Sequence, residues 1–178
     1  MKTLDEIGVK NGTDKSSLNH HYLSFYELLF RDFVNPRILE IGVQFGNSLR
    51  TWKEYWPNSE IVGIDSVDNG VLFYPPHWVE LHIGDAYCDE VLKSVIGHSP
   101  FDIMIDDASH RIVDQAWFVR NYSDLLSKRG ILIVEDVLDK GTAAHLAEFL
   151  SSEFQSTTVE MTDGNSIVDS RLFIAWRK

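Results

Sequence analysis

Asp107, Glu135, Asp136 and His110 are the residues best suited to chemistry, because two short apolar runs, FDIMIDDASH and ILIVEDV, deliver them in the same way. Each run has the length and branching of a buried parallel strand, so its acids fall at a strand end, and His110 follows Asp107 by three residues. Three carboxylates and an imidazole are then expected at one edge of a sheet. In an open α/β sheet that edge, at the carboxyl ends of the strands, is where ligands bind. Carboxylate oxygens suit a hard divalent cation such as Mg²⁺, and a histidine beside them can take a proton near neutral pH. The chemistry is that of a metal site next to a base. Taken singly, each acid is as readily a helix cap or a solvated loop residue, and a lone histidine is usually structural; their joint occurrence favours a site.

A second pattern, LEIGVQFGNS, follows another strand-like run. Gly42 and Gly46 are spaced to let the backbone turn sharply and approach a ligand, while Asn47 and Ser48 are placed to cap the next helix and offer donors. Val43 and Gln44 interrupt the tight double glycine of G-x-G-x-x-G, and no P-loop lysine follows, so dinucleotide binding loses ground. Asp65, ending EIVGID, is placed to accept hydrogen bonds from a ribose diol. Gly84 to Ala86 supply a further polar strand end. Glu40 is expected either to anchor the glycine turn or to touch the cofactor, and Asp106 either to cap a loop or to touch it.

The elements that position these residues alternate. A polar entry, NGTDK included, leads to an expected helix over Ser16 to Phe33 with a serine cap. RILEIG, EIVGID, WVELHIG, FDIMID and ILIVED read as strands, with helices from Asn47 and over Asp89 to Ile96, Val113 to Leu126 and Thr142 to Phe154. That order predicts an α/β fold with a doubly wound, mostly parallel sheet. FQSTTVEM and SRLFIAW flank the turn-rich DGNS without an intervening helix, so this C-terminal strand pair is expected to be antiparallel. Tyr22 and Tyr26, one helical turn apart, are expected to pack in the core rather than to form a lid. The proline-bearing loop from Asp68 to Trp78 is expected either to close over substrate or to pack on a second subunit.

Composition bounds the rest. A chain of 178 residues, 44% hydrophobic, suffices for one well-buried domain. A formal net charge of −11 without a basic stripe argues against nucleic acid or an anionic membrane as partner. The single cysteine, Cys88, cannot close an internal disulfide and is expected to be a small, partly buried side chain. The amino terminus lacks an apolar leader pattern and no stretch has the length of a membrane span, which points to the cytoplasm. His20, His21 and His77 lack metal-ligand spacing and are given no role.

At this point the residues resemble a family. E-x-G-x-x-x-G at Glu40, Gly42 and Gly46, with Asp65 and Asp85 at the next strand ends, is similar to the S-adenosylmethionine site of class I methyltransferases, which implies their Rossmann-like fold. NGTDK, HHYLSFYELLF, ILEIGVQFGNSLRTW, GID, IDDASH and IVED together resemble metal-dependent O-methyltransferases acting on sugars of macrolides and related glycosylated natural products. The resemblance runs from about Lys10 to Asp136 and implies Asp107, Glu135 and Asp136 as ligands of Mg²⁺ or another divalent ion, and His110 as general base. It likewise implies Asp65 on the ribose and Asp85 with Ala86 on the adenine side of S-adenosylmethionine. The expected partner is a small hydroxylated acceptor, a sugar or glycoside, handled by one methyltransferase domain over residues 1–178 with an N-terminal helical lid over about 1–34, possible as a homo-oligomer. Ala108 stands where relatives commonly have glycine, GDA replaces the more usual GDQ, and the larger macrolide enzymes carry an additional N-terminal domain. Catechol or phenol methylation, and a subunit that binds the cofactor without turning it over, are the alternative readings.

Overall fold

The computed structural model describes residues 2–67, 77–161 and 171–178. Two helices, α1 (Leu4–Asn11) and α2 (Tyr22–Leu29), precede β1 (Arg37–Ile41), α3 (Asn47–Tyr55), β2 (Glu60–Asp65) and β3 (Val79–Ile83). Next come α4 (Asp89–Ile96), β4 (Phe101–Asp106), α5 (Ile112–Tyr122) with a 3₁₀ turn (Ser123–Leu125), and β5 (Leu126–Val134). The chain ends with α6 (Lys140–Ala147), β6 (Phe154–Glu160) and β7 (Arg171–Arg177). The strands form one sheet in the order β3-β2-β1-β4-β5-β7-β6, parallel from β3 to β5, with β7 antiparallel to both β5 and β6. This is the doubly wound sheet with an antiparallel C-terminal pair that the alternation of elements predicts.

Side chains alternate across a strand, and this period divides the core into two layers. Leu39, Ile41, Val62, Ile64, Met104, Leu132 and Val134 pack with Ala116, Phe118, Val119 and Leu146 of α5 and α6. Ile38, Ile61, Ile103, Ile105 and Ile133 pack on the opposite face with Leu4, Tyr22, Tyr26, Leu49 and Trp52 of α1, α2 and α3. The second layer determines the site, because Glu40, Asp107 and Glu135 share the strand parity of Ile38, Ile105 and Ile133.

The N-terminal region differs from expectation. Instead of one helix over Ser16 to Phe33 there are α1 and α2, separated by a segment that carries Lys15. Thr3 caps α1 and, with Glu6, forms a capping box, and Gly12 ends it in the left-handed region at φ 74°. The expected serine cap of α2 is absent: its N-cap is His21, at φ 60°, with no side-chain cap bond. α6 stops at Ala147 rather than reaching Phe154. Of the Asp68 to Trp78 loop only His77 and Trp78 lie within the described residues, and DGNS lies outside them. Among the described residues no helix is long and apolar enough to cross a membrane.

Candidate active site

β1 is flanked by β2 on one side and β4 on the other, so the chain order reverses there and a crevice opens beyond the carboxyl ends. A cleft of about 560 Å³ occupies this position, a size suited to a cofactor-scale ligand. Its walls come from the turn after β1, from Asp65, from Gly84 to Tyr87, and from Asp107 to Arg111. Gly12 to Lys15 close one side, so the wall supplied by the N-terminal region is a loop and not a helix.

The strand ends are held in step by backbone bonds that continue the ladders. Gly42 N donates to Ile64 O at 2.9 Å, Asp107 N to Ile41 O at 2.9 Å, and Glu135 N to Asp106 O at 2.9 Å. Gly42, at φ 83°, lies directly under the Asp107–Ala108 backbone: a Cβ there would stand 2.2 Å from the Asp107 carbonyl oxygen. Glycine is thus required because two strand-end loops meet at this point. Gly42→Ala is expected to lose about 2–5 kcal/mol from overpacking and a left-handed backbone. Gly97→Ala, where a Cβ meets nothing within 4 Å, is the matched control in urea unfolding.

Each sequence-selected residue has a definite place. Gly42, Asn47, Ser48, Asp65, Asp85, Ala86, Asp107 and His110 line the cleft, whereas Glu40, Gly46, Asp106, Glu135 and Asp136 are not among its lining residues. Glu40 is fully buried beneath α3 and accepts a hydrogen bond from Trp52 Nε1 at 2.6 Å. Asp106 lies on the other face of the sheet and accepts from the Tyr87 hydroxyl at 2.7 Å. The capping role expected of Asn47 and Ser48 is not found. Gly46, at φ 73°, is the N-cap of α3 without a side-chain bond; Asn47 Nδ2 donates to Gly12 O at 3.0 Å, and the Ser48 hydroxyl serves Glu40. Asp65 accepts from the backbone N–H of Gln44 at 2.8 Å and of Val67 at 3.1 Å. Asp85 Oδ1 accepts from Tyr87 N at 2.9 Å, and half-buried Cys88 points its thiol at Asp85 O, 3.1 Å away.

The acidic cluster is arranged in depth. Asp107, His110 and Asp136 offer ligand atoms within 4.8 Å of one another, His110 Nδ1 lying 3.6 Å from Asp136 Oδ2 and Nε2 4.0 Å from Asp107 Oδ1. Glu135, 1% exposed, sits one layer deeper with both carboxylate oxygens already engaged. Its Oε1 accepts from the Tyr26 hydroxyl at 2.8 Å and its Oε2 from Lys15 Nζ at 2.8 Å. The Tyr22 hydroxyl donates to Asp136 Oδ1 at 2.6 Å. Tyr22 and Tyr26 therefore pack in the core, as their spacing predicts, and also orient two acids. His110 and Asp136 are non-glycine residues at φ 55° and 54°, and Gln44 is at φ 48°. Such conformations concentrate at functional sites. Ala108 is not among the positive-φ residues, so its side chain imposes no strain.

Lys15 went unselected in the sequence. Only 1% exposed, its ammonium donates to Asp107 Oδ2 and Glu135 Oε2 and lies 3.8 Å from Glu40 Oε1. Burial alone would push Lys15 down, but the charges of Asp107, Glu135 and Glu40 outweigh it and hold the ammonium well above its usual range. Burial also drives up the carboxyls: Glu135 well above the ordinary range despite Lys15, Asp136 despite the Tyr22 hydroxyl, and Asp106 to about 7 despite Tyr87. Within the cluster, burial thus disfavours the charged forms of Glu135 and Asp136. Hard oxygen donors and an imidazole open to the cleft fit a divalent cation, with the oxygens preferred as ligands and the imidazole left for a proton.

No protein-family model matches the chain. Over 121 residues it is 36% identical to mycinamicin VI 2''-O-methyltransferase of Micromonospora griseorubida, covering 60% of this chain and 29% of that protein. Over 144 residues it is 33% identical to 8-demethyl-8-alpha-L-rhamnosyl tetracenomycin-C 2'-O-methyltransferase of Streptomyces olivaceus, covering 74% of this chain and 36% of the other. Among solved structures, a methyltransferase of the mycinamycin biosynthetic pathway, in complex with Mg, SAH and mycinamycin VI, superposes with a TM-score of 0.70 at 30% identity, covering 76% of this chain and 39% of that one. The chain spans about a third of the length of the curated relatives it matches. The resemblance drawn from the motifs is present in both sequence and fold.

Proposed function

We propose, from the premise that this chain resembles the sugar O-methyltransferases of macrolide and tetracenomycin pathways in sequence and carries the Rossmann-like class I methyltransferase fold, that it transfers a methyl group from S-adenosylmethionine to a hydroxyl of a sugar or glycosylated small molecule, with Mg²⁺ or another divalent ion. The observation that carries this reading is the pairing of a cofactor-sized cleft at the β1 switch point with Asp107 and His110 on its wall and Asp136 offering a ligand atom within 4.8 Å of both.

In this reading Gly42, Gly46, Asn47, Ser48, Asp85 and Ala86 shape the cofactor side, and Asp65 accepts from the ribose. Glu40 acts from beneath the turn, and Asp106 from beneath Tyr87. Asp107, Asp136 and the deeper Glu135 would hold the cation. S-adenosylmethionine would supply an activated methyl and the cation a positive charge that favours ionisation of the acceptor hydroxyl. His110, 43% exposed on its side chain and facing both Asp107 and Asp136, takes the hydroxyl proton on a ring nitrogen. The cleft walls align the acceptor oxygen behind the methyl carbon and exclude water.

An acceptor panel with labelled cofactor, with and without Mg²⁺, tests the reaction. Label entering a sugar hydroxyl in a Mg²⁺-dependent way is the expected result; label entering only catechols would move the assignment to phenol methylation, and cofactor binding without transfer to any acceptor would leave a binding subunit. For the cofactor, calorimetry is expected to show S-adenosylhomocysteine binding and no comparable NAD signal. Asp65→Ala should weaken that binding by about 1–3 kcal/mol, the cost of a buried hydrogen bond left unmade. Tight NAD binding with no S-adenosylhomocysteine signal would overturn the cofactor assignment.

A further inference from the structure

Lys15 is a cation that the acidic cluster already holds. It reaches the carboxylates from a loop far away in sequence, 92 residues before Asp107 and 120 before Glu135. Among the described residues it is the only lysine or arginine paired with either acid. The loop is itself fastened: Leu23 N donates to Lys15 O at 3.1 Å, and Lys15 N donates to Thr13 Oγ1 at 3.4 Å. The ammonium is therefore delivered as a fixed charge and not as a mobile side chain borrowed from the surface.

Glu40 and Glu135, both buried, and Asp107, 17% exposed on its side chain at the cleft wall, converge around that charge. Like charges so close repel strongly at low effective dielectric, and breaking a buried ion pair by removing one partner leaves the other uncompensated. The same fixed positive charge repels a second cation brought to Asp107 and Glu135. One group therefore stabilises the cluster without metal and opposes metal entry.

Resting on the proposed metal site, we propose that Lys15 is an internal counter-ion: it keeps the Glu40, Asp107 and Glu135 cluster folded when no divalent ion is bound, and it competes with that ion. Its replacement should make the protein depend on metal for stability and bind metal more tightly. A lysine that merely packs would change stability equally in both states. A lysine that helped assemble the metal ligands would weaken metal binding when lost.

The test compares wild type, Lys15→Met and Lys15→Arg, all stripped by chelator and dialysis. Thermal unfolding is followed with and without Mn²⁺, and Mn²⁺ affinity is read from the paramagnetic resonance of the unbound ion. Lys15→Met should unfold at lower temperature without metal, approach wild type at saturating Mn²⁺, and bind Mn²⁺ on the order of tenfold tighter or more. Lys15→Arg, which keeps the charge, should stay closer to wild type in affinity. An equal loss of stability with and without Mn²⁺, or unchanged or weaker Mn²⁺ binding, overturns the proposal. If Lys15→Met is not recovered folded, Lys15→Met/Glu135→Gln decides: removing one negative charge together with the positive one should restore a folded metal-free protein, and a double variant that is also not recovered folded overturns the proposal. A wild-type protein that takes up no Mn²⁺ counts against the metal site itself; tight wild-type uptake with no gain in Lys15→Met counts against the counter-ion alone.

Discussion

Removing the divalent ion, by exhaustive chelation or through Asp107→Ala, is expected to lower methyl transfer by at least about 10³-fold, reversibly in the case of chelation. A bound cation contributes several kcal/mol where negative charge develops, and about 4 kcal/mol corresponds to roughly 10³ in rate. Asp107 is the proposed ligand to remove because it is central to the cluster. Its Oδ1 faces His110 across 4.0 Å, and its Oδ2 accepts from Lys15. The contact between Gly42 and the Asp107 carbonyl involves backbone alone, so the substitution leaves the meeting of the β1 and β4 loops intact. It does leave Lys15 with one partner fewer. Asp107→Asn, which keeps the shape, and a circular dichroism and S-adenosylhomocysteine binding check therefore accompany it. Full activity in a folded Asp107 variant, or after exhaustive chelation, would refute metal assistance and leave the fold assignment standing.

His110→Ala is expected to lower the chemical step by about 10²–10⁴-fold, the usual contribution of a general base, while sparing folding and cofactor binding. The backbone matters to the choice of variant. His110 is at φ 55°, a region that histidine and asparagine tolerate better than alanine, so His110→Asn separates loss of the base from backbone strain. Single-turnover transfer at saturating Mg²⁺, cofactor and acceptor isolates chemistry from product release. Near-wild-type rates would reduce His110 to orienting Asp136, 3.6 Å away, and leave the cation and alignment to account for catalysis.

Much of the frame was legible because it is written locally. Apolar runs ending in acids placed Asp65, Asp106, Glu135 and Asp136 at or just beyond the ends of β2, β4 and β5, and the helix-free connection before SRLFIAW announced an antiparallel strand. The capping box of α1 was equally local, Thr3 standing three residues before Glu6, yet the polar composition around it masked the signal. The spacing of Tyr22 and Tyr26 disclosed their packing but not their hydroxyl bonds to Asp136 and Glu135, which depend on where α2 docks.

The sequence by itself determined the fold class, the alternating parity that puts Glu40, Asp107 and Glu135 on one face, and the meeting of acids with His110 at the sheet edge. Tertiary structure alone decided which of those groups are solvated and which are charged against one another. It placed Glu135 a layer beneath Asp136, turned Gly42 into a contact with the Asp107 backbone, and brought Lys15 among the carboxylates. The reason is physical: hydrophobic period and capping act over a few neighbouring residues, whereas burial and charge act through space, and the partners they join here lie 92 and 120 residues apart.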